Sequence, residues 1–232
     1  MAQLLNYLDV ASFTLVPYVA LFTFFLVSIQ RYRAQTFSFS SLSSQLLENK
    51  RHFWALVPFH YGILVVLGGH IVAFLIPRSI LLWNGNPLRL YVLEITALAC
   101  GILATVGLIA AIARRLTDSK VRKVTSPVDA VLYLLLAVQF ASGIAIAILY
   151  PWGSSWFATS MTPYLWSLLK FSPDLTYIVG MPHLVKLHVF NAFVVFGLFP
   201  FTRLVHILVV PNPYLWRKPQ VVRWYGAPRD VA

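Results

Sequence analysis

Five stretches of this chain, at 10–30, 53–76, 90–113, 130–150 and 184–210, run for 20 or more residues almost without charge. A backbone placed in a hydrocarbon core of about 30 Å finds no water to bond, so a run of roughly 20 apolar residues has one stable form, a helix that satisfies its own amides. The first, second and fourth runs contain no Asp, Glu, Lys or Arg. The third holds only Glu94 near its start; the fifth holds Lys186 near its start and Arg203 toward its end. The shorter runs of alternating polarity expected of barrel strands are absent. With 11% charged residues, against about a quarter in soluble domains, the chain is expected to be an all-α integral membrane protein. It is expected to form a five-transmembrane-helix bundle, a single membrane domain over 1–232 with a tail at 211–232.

The basic residues predict which way the helices run. Arg31, Arg33, Lys50 and Arg51 lie between the first two spans, and Arg114, Arg115, Lys120, Arg122 and Lys123 between the third and fourth. Arg203, Arg217, Lys218, Arg223 and Arg229 follow at the C-terminal end. The opposite side carries only Arg78, Arg89, Lys170 and Lys186. Lys and Arg are retained on the cytoplasmic face, so the N-terminus is expected outside and the C-terminus inside. The same retention accounts for the net charge of +11 without nucleic acid. MAQLLNYLDV has no basic residue ahead of the first span, so that helix is expected to be kept rather than cleaved. The aromatic-rich connection 151–183 is expected to lie along the outer membrane surface, with a short interfacial helix near 163–170. The one cysteine, Cys100, excludes an internal disulfide and any iron–sulfur cluster held by this chain alone.

Polar side chains at membrane depth are costly and point to function. Of six histidines, four fall inside spans and on only two of them: His60 and His70 on the second, His188 and His206 on the fifth. At ~1.5 Å per residue, His60 lies about 10 Å and His206 about 6 Å from the inner ends of their spans. On the outer side His70 lies about 9 Å and His188 about 6 Å from the ends. The two helices are antiparallel, so depth pairs His60 with His206 and His70 with His188. The step from 60 to 70 covers roughly 15 Å and that from 188 to 206 roughly 27 Å if both helices are continuous. The longer fifth helix must then tilt, or the bound groups lie obliquely.

Two facing imidazoles with no acidic companion are poor in ligands for zinc, which takes three or four. They suit a b-type haem, which needs two axial nitrogens and an apolar slot between helices. Gly62, Gly68, Gly69 and Gly197 are placed to let a flat macrocycle approach the backbone. No CxxCH is present, which excludes covalent c-type attachment. A different class of protein, a haem-free transporter using the histidines as a proton relay, would carry the same residues and be colourless. His52 is expected at headgroup level; His183, just before the fifth span, is open to a substrate at the outer face.

The stretch GLFPFTRLVHILVVPNPYLWR at 197–217, the basic QVVRW that follows, and PFHYGILVVLGGHIVAFLIP at 58–77 resemble the gamma subunit of respiratory nitrate reductase, the dihaem cytochrome b membrane anchor. The SQLL segment at 44–47 is similar as well. The resemblance implies two haem b groups, with His60 and His206 ligating the proximal iron and His70 and His188 the distal one. It implies an electron path from quinol through both haems to an iron–sulfur beta subunit and a molybdenum-containing alpha subunit, where nitrate is reduced. The place implied is the cytoplasmic (inner) membrane of a bacterium or archaeon. Quinol is expected beside the outer haem, at Gly69. The family's loop lysine has no gapless counterpart here, and Arg89 stands in that region as a quinone donor or a headgroup anchor. Arg203 is placed to pair a haem propionate or to snorkel, and Glu94 to take a quinol proton or to sit as an interfacial carboxylate. Dihaem subunits of other quinone-linked complexes, in nitrite oxidation or sulfur-compound reduction, share the pattern.

Overall fold

Proline takes the first helical position at Pro77, Pro87 and Pro127, where its missing N–H would have had no partner in any case. Asn86 caps the second of these helices by accepting from the amides of Leu88 and Arg89, and Ser126 caps the third within a reciprocal box with Asp129. The computed structural model of the chain describes residues 7–34 and 50–209, and their side chains except at 50–55 and 209. Segment 44–47, the tail 211–232 and the His52 side chain lie outside the described residues.

The chain is all-helical over these residues. α1 (Tyr7–Ala34) contains a π turn at Ala11–Leu15. It is followed by α2 (Lys50–Leu75), α3 (Pro77–Asn84), α4 (Pro87–Thr117), α5 (Ser119–Lys123) and α6 (Pro127–Leu149). After α7 (Gly153–Trp156) and the π turn Phe157–Met161 come α8 (Thr162–Leu169), α9 (Thr176–Val179), α10 (His183–Leu198) and α11 (His206–Val209). Five segments, in α1, α2, α4, α6 and α10, are long and apolar enough to cross a membrane. Their outward faces are greasy, with Leu26, Leu64, Ile95 and Leu134 all about two-thirds exposed; such a surface is stable only against lipid.

Packing runs α1–α10–α6–α4–α2, and among the described residues α2 and α10, the two histidine helices, form no closely packed pair. The bundle therefore keeps a separation where the histidines face. One end carries the connections 76–86 and 150–182, here the loop end; the other carries α5 and residues 203–209, the basic end. At the loop end α8 is not simply laid on a surface. Its Thr162 hydroxyl and Trp166 indole donate to the carbonyls of Ala73 and Phe74 on α2. The Tyr164 hydroxyl donates to the carbonyl of Phe13, and that of Tyr18 to Leu168, tying α8 to α1. Tyr164, Leu168 and Ile178 are buried against Phe13, Ile146 and Val185, so the segment packs onto α1, α6 and α10.

The fifth span is broken rather than continuous. Its α-helix stops at Leu198, 3-10 turns follow at Phe199–Phe201 and Arg203–Val205, and Thr202 between them is extended. Pro200 cannot donate to the helical ladder, and the Arg31 guanidinium donates to its carbonyl from α1. The 27 Å helical step expected between His188 and His206 does not exist; the second histidine is carried on a separate turn.

Two of the four glycines do another task. A Cβ on Gly62 would stand 2.5 Å from the Cys100 carbonyl and 2.6 Å from the Ala104 amide of α4, and one on Gly197 3.2 Å from Ala20 of α1. These are close helix contacts, the usual service of small residues in membranes. Gly68 and Gly69 have nothing within 4 Å. Gly62→Ala is expected to destabilise by about 1–3 kcal/mol, because backbone must move. Gly101→Ala, whose nearest neighbour is 4.0 Å away, should be neutral or slightly stabilising. Thermal unfolding of the two variants in detergent checks the contrast.

Candidate functional site

Three of the four span histidines are held alike. The Nδ1–H of His60 donates to the Leu56 carbonyl at 2.7 Å, that of His70 to Val66 at 2.8 Å, and that of His206 to Arg203 at 2.6 Å. A carbonyl only accepts, so each Nδ1 bears the proton and each Nε2 keeps its lone pair. This is the orientation by which an imidazole is presented to a metal.

At the basic end the rings of His60 and His206 stand 6.0 Å apart between centroids, inclined at 67°. Phe59 lies edge-on to His60 and to Phe140 of α6, beside the apolar cluster of Leu108, Leu132 and Leu136. At the loop end His70 is exposed in the protein surface and meets Phe157 edge-on at 5.2 Å. No group of three or more His, Cys, Asp or Glu side chains converges among the described residues; His60 and His206 are brought together as a pair.

His188 is held differently from the rest. Asn191 donates through Nδ2 to the Leu135 carbonyl at 3.0 Å and to Gln139 Oε1 at 2.7 Å. That turns the Gln139 amide nitrogen toward His188 Nε2, 3.0 Å away. His188 Nδ1–H donates to the Ser142 hydroxyl at 2.9 Å, which donates on to the Val138 carbonyl at 2.7 Å. Carbonyls at both ends of this chain fix the direction of every bond in it. The ring rests on Gly143, where a Cβ would come within 3.1 Å of its Cε1.

Arg203 does not continue the helix of His206. It sits in the preceding 3-10 turn, offers its carbonyl to His206, and grips Asp129 with Nε at 2.6 Å and Nη2 at 2.9 Å. Nη2 also reaches the Val124 carbonyl at 2.9 Å. Asp129 is 3% exposed and completes the cap on α6 through the Ser126 amide. Glu94 accepts from both the amide and hydroxyl of Ser154, anchoring the loop that follows α6. Arg89 stacks on Trp83 at 5.2 Å at the start of α4, and Lys186 pairs with Asp9 at 2.8 Å, joining α10 to α1. Arg115 is turned inward onto the Tyr133 ring and hydroxyl. His183 is exposed at the start of α10.

Sequence reasoning missed Asp129, Gln139, Ser142 and Asn191. The signals were present: SPVD at 126–129 is a capping box with proline at the first helical position, and the other three are polar residues at span depth.

The model of the family described as nitrate reductase gamma subunit matches residues 9–225 of this chain. The nitrate reductase gamma chain of Bacillus subtilis is 36% identical over 212 residues, covering 90% of this chain and 95% of that protein. The respiratory nitrate reductase 2 gamma chain of Escherichia coli is 30% identical over 227 residues, covering 95% and 99%. The respiratory nitrate reductase 1 gamma chain of the same organism is 29% identical over 225 residues, covering 94% and 99%.

Proposed function

The chain belongs to the nitrate reductase gamma subunit family, and on that premise we propose that it is the dihaem b, quinol-oxidising membrane subunit of a respiratory nitrate reductase. His60 and His206 hold the haem at the basic end, and His70 and His188 the one at the loop end. The observation that carries this is the shared tautomer: Nδ1–H is tied down in all four, which leaves the proton off Nε2, the nitrogen a metal would take. The spacing fits as well. Two imidazoles sharing one metal, each nitrogen about 2.0–2.1 Å from it, stand with ring centres roughly 6 Å apart, and His60 and His206 stand at 6.0 Å.

A haem b held at each level supplies reversible one-electron chemistry. The remaining work belongs to the chain. At the basic end the apolar side chains of α2, α4, α6 and α10 packed around Phe59 keep water from the side of His60. At the loop end Gly69 leaves room beside His70 for a quinol ring, and Arg89 supplies guanidinium donors for a quinone oxygen. Glu94, with its carboxylate held by Ser154, serves to fasten the loop. Arg203 serves as the Asp129 partner that fixes the turn before His206; a propionate bond would share the same guanidinium. The basic end, rich in Arg and Lys, faces the cytoplasm and receives an iron–sulfur subunit, through which electrons reach a molybdenum-containing subunit that reduces nitrate. The N-terminus then lies outside the cytoplasmic membrane.

The test is the reduced-minus-oxidised spectrum of the purified complex, with a quinol and then nitrate added. Two haem b per chain, reduced by quinol and reoxidised by nitrate, is the expected result. A complex whose membrane subunit binds no haem would overturn it.

A further inference from the structure

We infer that Ser142 and Gln139, two neighbours on one face of α6, act on His188 in opposite senses: Ser142 positions the ring for iron, and Gln139 competes with iron for the same nitrogen. The inference rests on the haem-binding function proposed above. His60 and His70 take their Nδ1 anchor from their own helix, four residues back, and His206 takes its anchor from the 3-10 turn just before it, three residues back. His60 and His70 keep that anchor however the helices move. His188 takes its anchor from another helix, through the Ser142 hydroxyl 46 positions away in sequence. Its tautomer and ring plane therefore depend on how α10 sits on α6.

The second contact is of the other kind. Gln139 donates its amide to Nε2, the nitrogen an iron would need. Asn191 holds the far side of that amide, with a second bond to the Leu135 carbonyl keeping Asn191 in place. An Nε2 lone pair accepts one partner along its axis, so metal and amide exclude one another. Without iron, Gln139 keeps the half-buried imidazole satisfied; with iron, that hydrogen bond is given up. The loop-end site is thus the more weakly loaded of the two, and the difference lies in side chains of α6 rather than in the ligands.

The experiment uses the full complex from haem-deficient cells, titrated with haemin and followed by optical and low-temperature EPR spectra that separate the two haems. Ser142→Ala should raise the haemin concentration for half-loading of the loop-end site by about 10–100-fold, the usual effect of removing a group that orients a ligating histidine. Its ferric EPR line should broaden or shift as the ring plane is released. Ser142→Thr, which restores an acceptor, should recover both. Gln139→Leu should lower the half-loading concentration by about 2–10-fold, the range covered by one neutral hydrogen bond. The His60/His206 site, loading unchanged throughout, reports that each variant is folded. A structural role alone would weaken loading in both variants. Equal weakening in the two, or unaltered loading and line shape in Ser142→Ala, overturns the inference while leaving the proposed function intact. Failure of the native complex to take up haemin at either site overturns the proposed function itself.

Discussion

His206→Ala is expected to reduce the haem content of the complex from two per chain to one and to stop quinol-dependent nitrate reduction while sparing quinol oxidation at the loop end. His206 lies at the tip of a broken span, on a turn of its own after Thr202, and its ring faces that of His60 at 6.0 Å. Removing it leaves His60 Nε2 with no opposing nitrogen. The loop-end histidines have anchors apart from that turn: His70 on Val66 and His188 on Ser142. The haem that remains should therefore be the loop-end one, still reduced by quinol and no longer reoxidised by nitrate. Pyridine haemochrome content and quinol-driven difference spectra measure both halves. Retention of two haems with normal turnover would remove His206 from the ligand set.

Asp129→Ala is expected to have the second-largest effect, through stability. The carboxylate is 3% exposed and takes two charge-assisted bonds from Arg203, a bidentate geometry. Deleting one partner of a buried ion pair costs about 3–5 kcal/mol at most, and Arg203 keeps its bond to the Val124 carbonyl. The Arg203 side chain is 20% exposed and can partly recruit water, which places the cost near the lower bound. Ser126→Ala removes only the cap on α6 and should cost about 1 kcal/mol. Asp129→Asn keeps an acceptor and should fall between the two. Because the Arg203 carbonyl anchors His206, Asp129→Ala should also loosen the basic-end haem before the loop-end one. Thermal inactivation ranks the three variants, and haem-specific spectra during heating show the order of loss. Equal thermal stability of Asp129→Ala and Ser126→Ala would mean that the ion pair contributes nothing beyond the cap.

The two proposals differ in how much of their basis could be read from residues alone. The meeting of His60 with His206 was legible because distance from the end of a span is a local quantity, a count of residues multiplied by a rise. The Asp129–Arg203 pair spans 74 positions, and no periodicity links its members. Gly62 and Gly69 are the same residue type on the same helix, yet one is pressed into α4 and the other faces open space. Pro200 was visible in FPF, but the end of the α-helix at Leu198, the extended Thr202 and the fresh turn beneath His206 belong to the folded chain.

What the sequence by itself determined is everything the bilayer imposes one helix at a time: five apolar segments long enough to span, their largely helical form, and the order of the histidines along them. Only the tertiary structure decided which face of each helix looks inward, how His188 is held, and where Arg203 finds its partner. The reason is that lipid tails are as apolar as a leucine core. A span greasy on all sides carries no pattern to mark its buried face, and lateral arrangement is left to close packing and a few polar contacts between distant segments.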